Sequence, residues 1–162
     1  MTHETLKKDV YEANMALTRA GLVVLTWGNA SGVDRDADDG QGGHGVVAIK
    51  PSGVAYDALT PEQIVLVSLT TGNPLPGEIL RPSSDTPTHV CLYQRFPTLG
   101  GIAHTHSRYA TSWAQAQRAI PCYGTTHADT FHGDIPLCRP LTAEEIAEAY
   151  EWNTGVAIAE HF

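Results

Sequence analysis

Gly101-Ile102-Ala103-His104-Thr105-His106, followed by Ser107–Gln117, is the stretch from which the fold can be read. A short apolar run with a β-branched residue, entered through Gly100–Gly101, predicts a buried strand over Gly101–His106. The Ser107–Gln117 segment carries no Gly or Pro and predicts a helix. In a strand, side chains two apart share a face. His104 and His106 therefore point the same way. That arrangement suits one divalent ion, and it equally suits two polar side chains at a strand end, because a zinc site needs three or four ligands.

Working outward, strands and helices alternate. Glu4–Arg19 predicts a first helix, with Leu6, Val10, Ala13 and Leu17 at helical spacing and Gly21 as its stop. Leu22–Leu25 predicts a strand leading into Thr26–Ser31. Asp34–Gly45 is acidic and Gly-rich and predicts a surface loop or hairpin tip. Val46–Ile49 and Ile64–Leu69 predict two further strands, and Lys50–Gly53 a turn. Thr86–Phe96 predicts a second helix with Pro87 in its first turn. Thr142-Ala143-Glu144-Glu145 is a capping-box pattern opening a last helix. This alternation predicts a layered α/β domain spanning residues 1–162.

Composition narrows the function classes. The chain has 162 residues, 42% hydrophobic and 17% charged, which fits a globular core. Its net charge of −8, without a Lys/Arg cluster, argues against nucleic-acid binding. No apolar run approaches the length of a membrane span. The N-terminus has no signal-peptide pattern. Cys91, Cys122 and Cys138 are an odd set without C-x-x-C spacing, so reduced thiols and a cytoplasmic location are expected.

Three polar loops are candidates for anion binding. Trp27–Ser31 contributes Gly28 and Asn29, Lys50–Gly53 contributes a cation with Ser52 and Gly53, and Pro82–Asp85 places Ser83 and Ser84 before a helix N-terminus. Any one of them alone is as well read as an ordinary turn or cap. Asp85 and Asp129 are the carboxylates in the most suggestive settings, each also readable as a capping or turn residue. Trp27, Trp113 and Trp152 are read as packing residues, and His89 is given no role.

The segments LTWGNASGVDR (25–35), IKPSGVAYD (49–57), PSSDTPTH (82–89), GGIAHTHSRYATSWAQA (100–116), GTTHADTFHGDIP (124–136) and YEWNTG (150–155) resemble, in order and spacing, the L-ribulose-5-phosphate 4-epimerase family of the class II aldolase superfamily. The resemblance implies a three-layer α/β/α fold around a mixed, largely antiparallel sheet, incomplete at the C-terminus. It implies Zn²⁺ held by His104 and His106, with Asp85 as a further ligand or near neighbour. Gly28, Asn29, Ser52, Gly53, Ser83 and Ser84 match substrate- and phosphate-binding positions, and Asp129 matches the acid/base. The implied reaction interconverts L-ribulose 5-phosphate and D-xylulose 5-phosphate in arabinose catabolism, by retro-aldol cleavage and re-formation of C3–C4. A full-length form is expected to be a homo-oligomer, of tetrameric type. The family's third zinc-binding His and its catalytic Tyr lie beyond the position of Phe162, which makes an inactive fragment one alternative reading. An aldolase acting on a ketose phosphate is another, although aldolases of that group tend to carry Glu where Asp85 stands.

Overall fold

The computed structural model describes residues 2–162. The elements run α1 (His3–Arg19), β1 (Asn29–Asp38), β2 (His44–Ile49), β3 (Val65–Ser68), α2 (Thr86–Arg95), β4 (Gly101–His104), α3 (Arg108–Gln115), α4 (Thr125–Ala128) and α5 (Ala143–Ala159). Four strands form one sheet in the order β3-β2-β1-β4, and all of its pairings are antiparallel. The mixed α/β class expected from the sequence is present.

Helices cover both faces of the sheet, because β2 alternates. Val46 and Ala48 pack with Leu6 and Val10 of α1, while Val47 packs with Val90 and Tyr93 of α2. Each such buried Val or Leu side chain contributes about 1.5–3 kcal/mol. α5 lies against α2. A Cβ on Gly155 would come within 2.8 Å of the Cys91 Cβ, so the crossing is too close for a side chain there.

The buried line of α1 is Leu6, Val10 and Asn14, whereas Ala13 is exposed. Asn14 is a clamp between helix and sheet. Its Nδ2 donates to the carbonyls of Val10 (2.8 Å) and Ala30 (2.9 Å), and its Oδ1 accepts from the Ala30 N–H (2.9 Å). The expected stop at Gly21 is there, at a φ of +66°. Leu22 N–H bonds Leu17 O and Gly21 N–H bonds Thr18 O, the paired closure that satisfies the last carbonyls of a helix.

Three strand expectations need correction. Leu22–Leu25 is not a strand. Val24 and Trp27 bond each other across a two-residue turn, and Leu25 takes a φ of +54°, so pairing begins only at Asn29. The acidic Asp34–Gly45 segment is not all loop. β1 continues to Asp38, and the tip is closed by Asp39, which is buried and accepts from Gln41 N–H, Gly43 N–H and the Ser68 hydroxyl. The strand of Gly101–His106 ends at His104 and is half-exposed rather than buried, because β4 is the sheet's edge.

Candidate active site

The register of β1 on β4 sets the geometry of the site. Asn29 stands directly opposite His104. The backbone before Asn29 can approach this closely only because residue 28 is a glycine. Its φ is +88°, and a Cβ there would lie 3.0 Å from the Val23 side chain and 3.1 Å from the His104 carbonyl. Tyr56 fixes the same turn from outside by donating its hydroxyl to the Gly28 carbonyl (2.8 Å).

Asp85 closes the arrangement from the N-terminus of α2. It occupies the N-cap position, but its side chain makes no cap bond. Instead its Oδ2 faces His104 Nδ1 at 2.9 Å and accepts from Asn29 Nδ2 (2.6 Å) and the Ser83 hydroxyl (3.3 Å). The His104 hydrogen bond works against partial burial and, with the charge of that imidazole and the Asn29 amide, holds the Asp85 carboxyl down at about 2. Asp85 is therefore an anionic acceptor at neutral pH, and it orients His104, whose Nε2 has no partner among the described residues.

The rings of His104 and His106 have their centres 5.0 Å apart. Two imidazoles sharing one tetrahedral zinc at about 2.0–2.1 Å place their ring centres roughly 5 Å apart, so the pair fits a shared ion. A carboxylate on the far nitrogen of a ligating imidazole is the usual support for such a ligand. Among the described residues, no three His, Cys, Asp or Glu side chains gather into a group able to hold a metal. The chain thus presents two imidazoles, one of them already held by Asp85. A zinc site needs three or four ligands, so the pair would supply part of one.

A cavity of about 580 Å³ opens beside the histidines. Gly28, Asn29, Ser52, Gly53, Ser83, Ser84, Asp85, His104 and His106, all singled out in the sequence, line it together with Lys50, Trp27 and Tyr150. Asp129 is not among the lining residues. It caps the end of α4 and is exposed. His127, in the same segment, faces the Gly133 carbonyl (2.8 Å) through Nε2.

Two features give this cavity its chemical character. Asn29 is buried, and its Oδ1 is the one buried side-chain polar atom among the described residues without a hydrogen-bond partner. Leaving such an atom unpaired costs about 1–3 kcal/mol, and a ligand donor such as a sugar hydroxyl would remove that cost. Lys50 is buried with no carboxylate at ion-pair distance among the described residues. Its ammonium donates to the carbonyls of Val54 and Pro51 and lies 4.8 Å from the centre of the Tyr56 ring. Burial lowers its pKa. An uncompensated cation beside Ser52, Ser84 and the left-handed Gly53 favours an anion. The serines divide in role: Ser83 is committed to Asn29 and Asp85, whereas the Ser52 and Ser84 hydroxyls have no side-chain partner among the described residues.

Sequence reasoning gave no role to several groups that shape this site. Trp27 is not a core residue but stands half-exposed, with its ring 5.7 Å from that of His106. His89 is buried behind the site, with the Ser31 hydroxyl 2.7 Å from its Nδ1 and that same hydroxyl 2.8 Å from the phenol oxygen of Tyr93. The spacing of His89 four residues after Asp85, on one helix face, was the signal available for it.

The profile of the family described as Class II Aldolase and Adducin N-terminal domain matches residues 8–161. Among solved structures, an L-fuculose 1-phosphate aldolase is 24% identical over 96% of this chain and 69% of its own, with a TM-score of 0.75. The L-fuculose-1-phosphate aldolase of Thermus thermophilus is 22% identical over 99% of this chain and 73% of its own, with a TM-score of 0.66. YgbL of Escherichia coli is 19% identical over 97% and 70%, with a TM-score of 0.68. No helix among the described residues is long and apolar enough to cross a membrane.

Proposed function

Because the chain belongs to the class II aldolase and adducin N-terminal domain family, we propose that its cavity is the active site of a zinc-dependent sugar-phosphate enzyme. We assign it the epimerisation of L-ribulose 5-phosphate and D-xylulose 5-phosphate. The observation that carries the reading is the convergence of two chemistries on one cavity. The imidazole pair braced by Asp85 stands on one side, and an uncompensated buried lysine with free serine hydroxyls on the other.

His104 and His106 would hold the zinc, which when bound supplies Lewis-acid stabilisation of negative charge on a substrate oxygen. The chain's own residues do the rest. Lys50, Ser52, Gly53 and Ser84 bind the phosphate. Asn29 Oδ1 accepts from a sugar hydroxyl, and its Nδ2 keeps Asp85 in place. Asp85 keeps the proton on His104 Nδ1. Asp129 is assigned proton transfer at the C4 hydroxyl on the strength of the resemblance alone, since it stands outside the cavity at the end of α4. Asp129→Asn is expected to abolish conversion while zinc content, read by elemental analysis, stays at the level of the unmodified protein. Loss of metal along with activity would give Asp129 a different role.

An aldolase acting on a ketose phosphate is the second reading, favoured by the named activities of two of the structural neighbours. One assay separates the two. Zinc-loaded protein is incubated with L-ribulose 5-phosphate or L-fuculose 1-phosphate and the products are followed by NMR. Appearance of D-xylulose 5-phosphate supports the epimerase, and a free aldehyde with a three-carbon ketose phosphate from the second substrate supports the aldolase. Absence of both reactions overturns the proposal.

The division among the serines gives a sharper test. Ser84→Ala is expected to raise KM for the sugar phosphate by about 10- to 150-fold with kcat and zinc content unchanged, as loss of one hydrogen bond to a charged oxygen would do. Ser83→Ala is expected to disturb kcat as well, because Ser83 supports Asp85. Equal effects on KM alone would remove this distinction.

A further inference from the structure

α5 is interrupted at Ala149, where φ is −160° and ψ is 70°. The run Glu145–Asn153 holds neither Pro nor Gly. With neither present, the bonds around the break are made by polar side chains. Asn153 Nδ2 donates across the break to the Glu145 carbonyl (2.8 Å). The Thr88 hydroxyl, from α2, donates to the Glu151 carbonyl, and the Thr154 hydroxyl donates to the Tyr150 carbonyl (2.8 Å). Three side chains thus satisfy carbonyls on both sides of the break, so the interrupted conformation is held from several directions.

The residue just after the break is Tyr150. Among the described residues it is the one member of α5 that lines the cavity, facing a wall otherwise built from turns, the start of β1 and the end of β4. Its side chain is half-exposed, and its hydroxyl has no partner among the described residues. A regular helix through Ala149 would give residue 150 a different direction. The segment therefore gives up a helical turn's regularity and presents one phenol to the site.

Resting on the sugar-phosphate reading above, we propose that Tyr150 is a substrate-binding residue, its hydroxyl donating to an oxygen of the sugar phosphate, and that Asn153 is the positioning residue that turns it into the cavity. The phenol is suited to the task. It is rigid beyond two torsions and donates without adding charge to an already acidic chain.

Isothermal titration of the zinc-loaded protein with L-ribulose 5-phosphate and with L-fuculose 1-phosphate tests this. Tyr150→Phe keeps the ring and removes only the hydroxyl. It is expected to weaken the bound sugar phosphate about 5- to 10-fold, as one lost hydrogen bond does, with Tm and zinc content unchanged. Asn153→Ala, outside the cavity, is expected to weaken binding by a similar factor. If the unmodified protein binds a sugar phosphate and Tyr150→Phe binds it equally well, the role of Tyr150 is overturned and the function stands. If Tyr150→Phe weakens binding and Asn153→Ala does not, the positioning role of Asn153 is overturned. If the unmodified protein binds neither sugar phosphate, both the function and this proposal fall.

Discussion

Replacing His104 and His106 together by Ala is expected to strip bound zinc to background and to suppress sugar-phosphate turnover by a factor on the order of 10³ or more. The size follows from the chemistry. Lewis-acid stabilisation is worth several kcal/mol of barrier, and each ~1.4 kcal/mol is tenfold in rate. Both histidines leave, so neither can hold the ion alone. Asp85→Asn refines the test. An amide cannot match the carboxylate that meets His104 Nδ1 at 2.9 Å and Asn29 Nδ2 at 2.6 Å. Zinc affinity is then expected to fall about 10- to 100-fold, the usual cost of losing the partner of a ligating imidazole. Elemental analysis and competition with a chromogenic chelator read both effects. Full zinc occupancy in the double variant would place the metal elsewhere and remove the imidazole pair from the mechanism.

Acidification is expected to destabilise the fold between pH 6.5 and 4, and His89 is the main reason. Burial lowers its pKa to about 4 from an ordinary 6.5, against the opposing pull of the Asp85 charge. The unfolded chain therefore takes up a proton in this window that the folded chain refuses. Stability is full above pH 6.5 and is lost as pH falls towards 4. At about 1.4 kcal/mol per pH unit the loss is about 3 kcal/mol, or roughly 6–12 °C in Tm for a chain of this size. Asp85, depressed from 3.8 to about 2, acts in the same direction lower down, its contribution being lost as pH drops below 3.8. His89→Gln keeps a group able to accept from Ser31 and does not titrate. Its Tm is expected to change much less between pH 6.5 and 4 than that of the unmodified protein. Parallel pH profiles would show that His89 is not the group responsible.

What the sequence shows and what it conceals divide along physical lines. The His-x-His pair is legible because a strand has a period of two, and one face follows from spacing alone. The capping box at Thr142 is legible because it is local, and the structure has both of its bonds. The pairing of Asn29 with His104 is not legible, since register depends on how two distant strands settle against each other. Asn14 hides for a similar reason. A polar residue on the buried line of a helix looks like a flaw until Ala30, sixteen positions away, supplies two of its bonds. Asp39 shows the same in miniature, a carboxylate in an acidic loop that the fold buries and satisfies. Tyr150 depends on a break that no Pro or Gly announces. Asp129 is the reverse case, prominent in the sequence motif yet standing apart from the cavity in the folded chain.

The single oxygen Oδ2 of Asp85 gathers groups that lie 2, 19 and 56 positions away along the chain. Such a junction cannot form piecemeal. The loop before α2, the edge strand β4 and the start of β1 must all be docked before that oxygen has its partners. If the imidazole pair holds zinc as proposed, its affinity would report on whether folding has finished: a chain with β4 detached still carries both histidines but has nothing to orient them. By mass action, an ion that preferred the finished arrangement would also favour it, and metal supply and the fraction of correctly folded chains would then be one linked quantity.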